Sequence, residues 1–184
     1  MNNIFENEVY KKLLEGRIIF INGEINDEMA SEVVAKLLYL DSQSNEDITI
    51  YINSPGGCVT SGLMIYDTIK YVKSDVSTIG IGLSASMASI LLMSGTKGKR
   101  KILTHGRVML HELSSSTDGK ISDILVFTNE IQRTHKTLSE IIVENSSLSN
   151  EQVQIELKKD FWLDSREALK LGIVDKIIVW YLWL

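Results

Sequence analysis

The segment from Gly82 to Ala88 holds a serine at a position where its hydroxyl would act as a nucleophile. A predicted strand runs into small residues, and a predicted helix opens near Ser86. The free N–H groups and positive dipole end of a helix N-terminus favour negative charge, which suits an acyl-transfer nucleophile and its oxyanion. There are two alternatives: the small residues serve packing alone, or Ser84 is the nucleophile. Gly82–Ser86 half-matches the G-x-S-x-G elbow but lacks the second glycine.

A second segment that could take part in catalysis or ligand binding is Asn53–Gly57. It has the sequence Asn-Ser-Pro-Gly-Gly and ends another predicted strand. Its two glycines let the backbone approach a ligand closely. Exposed N–H groups in such a turn would bind an oxyanion or hold an extended peptide. An ordinary turn is the alternative interpretation.

The chain has three histidines that could serve as a general base. His111 is the best candidate, because it ends a predicted strand whose carboxyl end lies at the same sheet edge as Ser86. His105 lies in a polar loop. His135 lies in a long predicted helix among charged neighbours, and we expect it to be a surface residue.

Asp160 is the candidate for the carboxylate that orients the base. It precedes the aromatic pair Phe161–Trp162, so one interpretation is a partly buried side chain of the kind that fixes an imidazole. The alternative is a surface charge beside Lys158 and Lys159. The sequence alone leaves both open.

Short β-like runs alternate with helical runs, a pattern that predicts parallel βαβ units with right-handed crossovers. Ligands of such sheets bind outside the carboxyl ends of the strands, where the segments above lie. Capping boxes at Ser149–Gln152 and Asp164–Glu167 predict the starts of two short helices. The remaining predicted elements are strands at 17–22, 47–53, 76–82, 107–111 and 173–179, and helices at 27–40, 62–72, 86–94 and 121–144.

The helical pattern over 121–144 is long for a chain of this size, at about six turns. We expect this helix to protrude and its apolar face to need a partner chain. The alternative is that it folds back on the core of its own chain. Its apolar positions include Ile124, Leu125, Ile131, Leu138, Ile141 and Ile142.

The composition limits the class of protein. A chain of 184 residues suits one domain, spanning 1–184. The net charge of -5 argues against nucleic acid as a partner, and the basic run 97–101 is predicted to be a solvated turn. No His/Cys cluster has zinc spacing, and no glycine-rich segment matches a nucleotide fingerprint, so neither a metal nor a nucleotide cofactor is predicted.

The distribution of cysteine and apolar residues bears on the compartment. Cys58 is the only cysteine, so no intrachain disulfide forms, which fits a reducing environment. The polar stretch 1–10 lacks the features of a secretory signal. No apolar run approaches the roughly 18 residues of a membrane-spanning helix. We therefore expect a cytoplasmic protein without a membrane partner.

Several motifs along the chain belong together. They are Tyr51–Gly57, Ile65–Thr68, Gly82–Met87, Gly95–Arg100 and Arg107–His111, followed by Glu167–Ala168, Gly172 and Val174–Asp175. Together they resemble the Clp protease proteolytic subunit (ClpP) family, in its order and at its spacing, over about 17–178. The resemblance implies an α/β fold, a ClpP/crotonase-like stack of βαβ units with a protruding handle helix. The handle region would span about 112–146, and a short N-terminal segment 1–16 would precede the domain.

The resemblance also implies an activity. Members of this family are serine endopeptidases that cleave peptides and unfolded proteins through an acyl-enzyme. The family pattern assigns the nucleophile to Ser86, the base to His111 and the orienting carboxylate to Asp160. The oxyanion donors would be the backbone N–H groups of Gly57 and Met87.

An assembly is implied as well. Subunits that resemble this chain form heptameric rings that stack in pairs into a tetradecameric barrel. An AAA+ unfoldase such as ClpX, ClpC or ClpA docks on the outside and uses ATP, so the chain itself needs no cofactor.

The chain departs from the family pattern in three places. Glu112–Ser116 replaces the usual Gln-Pro and glycine-rich residues, and the Glu112 carboxylate would change the charge beside the base or the substrate preference. Lys158–Lys159 replaces an Asp-Arg pair that couples catalysis to ring contacts. The apolar tail 179–184 would pack on a neighbouring subunit or a partner. These changes indicate a divergent second copy or a mobile-element copy, and we expect such a copy to work best in a mixed barrel with a second ClpP-type subunit.

Two other functions remain open from the sequence. The first is a non-catalytic structural subunit of such a mixed barrel, which the altered segments favour and the Ser/His/Asp set opposes. The second is an acyl-CoA enzyme of the crotonase type, which shares the general fold and an oxyanion site.

Overall fold

The computed structural model describes the backbone of residues 2–179 and the side chains of residues 8–179. The strands within this range are β1 (Ile18–Asn22), β2 (Ile48–Ser54), β3 (Val76–Ala85), β4 (Arg100–Leu103), β5 (Arg107–Leu110), β6 (Phe161–Leu163) and β7 (Lys176–Ile178). The helices are α1 (Asn2–Glu15), α2 (Asp27–Gln43), α3 (Val59–Tyr71), α4 (Met87–Met93), α5 (Ile121–Asn145), α6 (Asn150–Glu156) and α7 (Ser165–Lys170). None of these helices is both long and apolar enough to cross a membrane.

One sheet organises the described chain. The order of its strands is β1-β2-β3-β4-β7, and every neighbouring pair in this order is parallel. The long strand β3 has two partners on one edge, because Thr78–Gly80 pairs with β4 and Leu83–Ala85 pairs with β5. The last strand, β6, is antiparallel to β5. The predicted α/β class with parallel βαβ units is confirmed.

The sequence explains why these elements form. In β2, every second residue from Ile48 is buried, which gives the strand an apolar face on the core. All seven residues of α4 are buried, as its small and apolar composition predicts. The capping boxes predicted at Ser149–Gln152 and Asp164–Glu167 are both present, at the starts of α6 and α7.

Three elements are absent from the predicted set, namely α1, β4 and β6. The prediction that 97–101 is a solvated turn is wrong at its end, because Arg100 begins β4 and its side chain is only 1% exposed. An arginine is almost never fully buried unless it is paired. The partner of Arg100 is Asp175, which is distant in the sequence. The apolar tail predicted to pack on another chain lies outside the described residues beyond Val179.

The helix α5 divides into two parts with different environments. Its buried residues, Ser139, Ile141 and Ile142, all lie near its C-terminal end. In the N-terminal part, Ile121 and Val126 are 79% and 70% exposed. One end of the helix therefore packs on the core of the chain and the other end is exposed, while its need for a partner chain stays a prediction.

A buried ion pair anchors the packed end of α5. Arg100 donates from Nε to Asp175 Oδ2 at 2.9 Å and from Nη2 to Oδ1 at 2.6 Å, and from Nη1 to the carbonyl oxygen of Asn145. Burial raises the pKa of the Asp175 carboxyl. The hydrogen bonds from Arg100 and from the Gly98 N–H lower this pKa by more than burial raises it, so the pKa lies below its usual value. The contacts join β4, the start of β7 and the last carbonyl of α5.

Replacing Asp175 by Asn should destabilise the fold by about 3 kcal/mol, because the buried Arg100 would lose its counter-charge. The free energy of unfolding in urea measures this loss. The matched control is Asp47→Asn, which removes a carboxylate that pairs with Lys99 at 2.8 Å but is 53% exposed. The control should cost less than about 1 kcal/mol. Equal losses in the two variants would contradict the assignment of Arg100–Asp175 as an anchor.

Candidate active site

The pairing of three strands places the candidate residues together. Ala85 at the end of β3 pairs with Met109 of β5, and Leu110 of β5 pairs with Phe161 of β6. Ser86 follows the first strand, His111 follows the second and Asp160 precedes the third, which runs antiparallel. All three side chains therefore lie at the same edge of the sheet, although Asp160 is far away along the chain.

Within this group, the imidazole of His111 lies close to the Ser86 hydroxyl and farther from the Asp160 carboxylate. The Nε2 atom of His111 lies 2.8 Å from Ser86 Oγ, within hydrogen-bond distance. When Nδ1 carries the imidazole proton, the Ser86 hydroxyl donates to Nε2. On the other side of the ring, Nδ1 lies 3.6 Å from Asp160 Oδ1, which is an ion-pair contact and too long for a hydrogen bond.

Of the two interpretations of Asp160 made from the sequence, the structure agrees with the exposed surface charge. Its side chain is 62% exposed, so the expectation of a partly buried carboxylate is wrong. The aromatic neighbours do not cover it, because Trp162 is itself exposed and approaches Arg107, which lies over its ring. Asp160 is thus a surface charge that nevertheless faces the imidazole of His111.

The backbone of Ser86 is held in an unusual conformation. Its φ of 53° and ψ of -124° put a residue with a side chain in a region that costs about 1–3 kcal/mol. The Ser86 N–H donates to Met109 O at 2.8 Å, and its carbonyl oxygen accepts from the N–H of Ser89 at 3.0 Å. The side chain makes no capping hydrogen bond to α4, so its hydroxyl is available to His111.

Two residues whose backbone N–H groups are candidate oxyanion donors lie at the cavity beside Ser86. Gly57 and Met87 line the same cavity as Ser86 and His111. The N–H of Ile25 donates to Gly56 O, and the N–H of Cys58 donates to Ile25 O. In this parallel bridge, Gly57 therefore directs its own N–H away from Ile25. Among the hydrogen bonds within the described residues, none is donated by the N–H of Gly57 or Met87. Such free donors are what a developing oxyanion requires.

A cavity of about 110 Å³ adjoins Ser86 and His111. Its walls come from α3, α4, the end of β5 and the packed end of α5. Apolar side chains form most of the lining: Val59, Met87, Ile90, Leu110, Leu113, Leu138, Ile142 and Leu157. The cavity can accept one side chain of a ligand whose reacting atom lies at Ser86.

The other candidate residues fall outside this catalytic arrangement. Ser84 is fully buried, and its hydroxyl has no hydrogen-bond partner within the described chain. His105 is exposed in the loop between β4 and β5. Groups of three or more His, Cys, Asp or Glu that could hold a metal ion do not occur in the described part of the chain.

The expectation that His135 is a surface residue is wrong. Its side chain is 26% exposed, it lines the cavity, and its Nε2 lies 3.9 Å from Oε1 of Glu112. Helical spacing carries the missed signal, because His135, Leu138 and Ile142 lie at positions i, i+3 and i+7 of one helix face. The Glu112 carboxylate approaches His135, but Glu112 itself is not among the residues that line the cavity.

Gly56 supports the turn at Ser86, and this generates a prediction. A Cβ at Gly56 would lie 2.8 Å from both Ala85 O and Ser86 Cβ. We expect Gly56→Ala to displace Ser86 and to lower the kcat/KM for peptide hydrolysis by about 100-fold, the effect of a displacement on the order of 1 Å.

The matched control is Gly23→Ala. Gly23 has a similar φ of +89°, but nothing lies within 4 Å of its Cβ position. This variant should carry the same backbone strain and keep its activity. Equal losses of activity in both variants would mean that the strain itself, and not contact with Ser86, is responsible.

Comparison with known proteins shows the family to which the chain belongs. The family model described as Clp protease matches residues 2–180 of the chain. The ATP-dependent Clp protease proteolytic subunit of Borreliella afzelii (strain PKo) is 46% identical over 173 residues, which cover 94% of this chain and 88% of that protein. The chain therefore belongs to the Clp protease family.

Proposed function

We propose that this chain is the proteolytic subunit of a Clp-type serine endopeptidase, with Ser86 as nucleophile, His111 as general base and Asp160 as the residue that orients the base. The observation that carries the proposal is the 2.8 Å contact between Ser86 Oγ and His111 Nε2 at a strained turn. Membership of the Clp protease family supports it.

The reaction would proceed through an acyl-enzyme. His111 takes the proton of the Ser86 hydroxyl as Oγ attacks the peptide carbonyl carbon. The N–H groups of Gly57 and Met87 hold the negative oxygen of the tetrahedral intermediate. His111 then protonates the leaving amine, and water, activated in the same way, releases the acyl group from Ser86.

Asp160 would act on the imidazole alone. Its carboxylate favours the tautomer with the proton on Nδ1, which leaves Nε2 free to accept from Ser86. The gap of 3.6 Å is wide for this role, but catalytic hydrogen bonds often tighten only when substrate is bound. An exposed carboxylate is free to make that adjustment.

The substrates would be peptides and unfolded proteins. The cavity beside Ser86 has room for the side chain that precedes the scissile bond, which we call the P1 side chain. The stretch 111–118 runs beside the site without regular secondary structure, so it offers backbone groups to an extended peptide.

The proposed assembly follows from the exposed part of α5. Ile121, Leu125 and Val126 form an apolar surface with no covering residue in the described chain, and a partner would shield it. We infer that the handle region 112–146 joins heptameric rings into a double-ring barrel, alone or with a second ClpP-type subunit. An AAA+ unfoldase such as ClpX, ClpC or ClpA would dock outside and use ATP. The chain would act as a single cytoplasmic domain without a cofactor.

The alternative of a non-catalytic structural subunit is less favoured. A subunit without catalysis has no need for a strained serine in contact with a histidine, since such strain persists where it serves function. The crotonase-type alternative is set aside by membership of the Clp protease family.

Replacing Ser86 by Ala should abolish hydrolysis of a short fluorogenic peptide and covalent labelling by a fluorophosphonate, because no other hydroxyl in the described part of the chain is hydrogen-bonded to His111. The matched control is Ser84→Ala, two residues earlier, which removes a buried hydroxyl that has no partner. That variant should keep both properties. Full activity in Ser86→Ala would refute the assignment, whereas labelling without turnover in the wild-type protein would mean that the nucleophile needs a partner subunit.

Analytical ultracentrifugation tests the proposed assembly. The wild-type chain should sediment as a tetradecamer, and the double substitution Leu125→Asp, Val126→Asp should yield single rings or smaller species, because charge would enter the apolar contact. Asn129→Asp adds one charge at a polar, exposed position of the same helix and should leave the assembly intact. A wild-type protein that sediments as a lone heptamer or smaller would contradict the double-ring proposal.

A further inference from the structure

The cavity beside Ser86 has a polar group that the catalytic mechanism does not use. The helix α5 contributes four lining residues, namely His135, Leu138, Ser139 and Ile142. Two of these are apolar and two are polar. The state of the two polar side chains decides which P1 side chain the cavity can hold.

The hydroxyl of Ser139 is already engaged. It donates to the carbonyl oxygen of His135 at 2.9 Å and accepts from Gln154 Nε2 at 3.3 Å. The imidazole of His135 makes no hydrogen bond to any described residue, and its nearest charged group, Glu112 Oε1, lies 3.9 Å away. His135 is therefore the residue of α5 with hydrogen-bonding capacity left for a ligand.

The size of the cavity restricts the shape of that ligand. Its volume of about 110 Å³ is smaller than the roughly 150 Å³ cavity that admits benzene in another protein. An aromatic P1 side chain would need the walls to move. A slim side chain with an apolar stem matches the leucine and isoleucine lining.

We propose that His135 is a specificity-determining residue and that it selects a P1 side chain with an amide at its tip, above all glutamine. This inference rests on the proposed function. A neutral imidazole has one N–H donor and one nitrogen acceptor, and an amide matches it in either tautomer because it carries both a carbonyl oxygen and an NH₂ group. The two methylene groups of glutamine contact the apolar walls. A glutamate tip has no NH₂ donor, and its negative charge would lose hydration in a cavity lined mostly by apolar side chains.

The test compares fluorogenic peptides that differ only at P1, with glutamine, methionine, glutamate or phenylalanine. Methionine has nearly the length of glutamine but only a weak acceptor at its sulfur. In the wild-type protein, kcat/KM should be higher for glutamine than for glutamate or phenylalanine. In His135→Leu, the ratio of kcat/KM for glutamine to that for methionine should fall roughly tenfold, because the amide would be left without a partner.

Two further variants separate this role from a structural one. His135→Asn keeps a donor and an acceptor at this position and should retain more of the glutamine preference than His135→Leu. His105→Leu removes an exposed histidine that does not line the cavity and should leave every ratio unchanged. A structural role for His135 would change rates for all four peptides in parallel and leave the ratios as they are.

The outcomes distinguish this inference from the proposed function. If the wild-type protein neither hydrolyses any peptide nor reacts with a fluorophosphonate, the proposed function fails and the inference fails with it. If the wild-type protein cleaves peptides, but His135→Leu has the wild-type ratio of glutamine to methionine, the inference alone is overturned. A wild-type preference for phenylalanine over glutamine would overturn it as well.

Discussion

The double pairing of β5 is the constraint on which the rest of the site depends. This strand of four residues pairs with the end of β3 on one side and with β6 on the other, and each partner holds a candidate residue at its edge. The registers fix the spacing of Ser86, His111 and Asp160 more firmly than any contact among their side chains. A slip of one residue in either pairing would turn a side chain to the opposite face of the sheet.

Around this frame, small residues make room for a strained serine. The left-handed conformation of Ser86 costs free energy, which the buried helix α4 and the hydrogen bonds of Met109 and Ser89 offset. Gly56 contacts the turn so closely that no side chain fits there. Within the described residues, the N–H groups of Gly57 and Met87 donate no hydrogen bond, and both residues line the cavity beside Ser86. Strain, close packing and unpaired donors are therefore parts of one local arrangement.

The helix α5 connects this site to the outside of the molecule. Its packed end is held at Asn145 by Arg100, which in turn pairs with Asp175, and it lines the cavity beside Ser86 with His135 and Leu138. Its other end carries the exposed apolar residues. One rigid element thus forms both a wall of the cleft and the surface proposed to contact another ring. Assembly and substrate binding would be coupled through it.

The sequence by itself determined the α/β class, the parallel units, the two capped helices and the set of candidate catalytic residues. It could do so because periodicity, caps and glycine turns act locally. Only the tertiary structure decided the burial of Arg100, the exposure of Asp160 and the place of His135 in the cavity. Arg100 is buried because Asp175 supplies its counter-charge. Asp175 lies 75 positions further along the chain, so no local pattern in the sequence shows this pairing. The strands β4 and β6 have four and three residues, too short to show a period, and they exist only because neighbouring strands complete their hydrogen bonds.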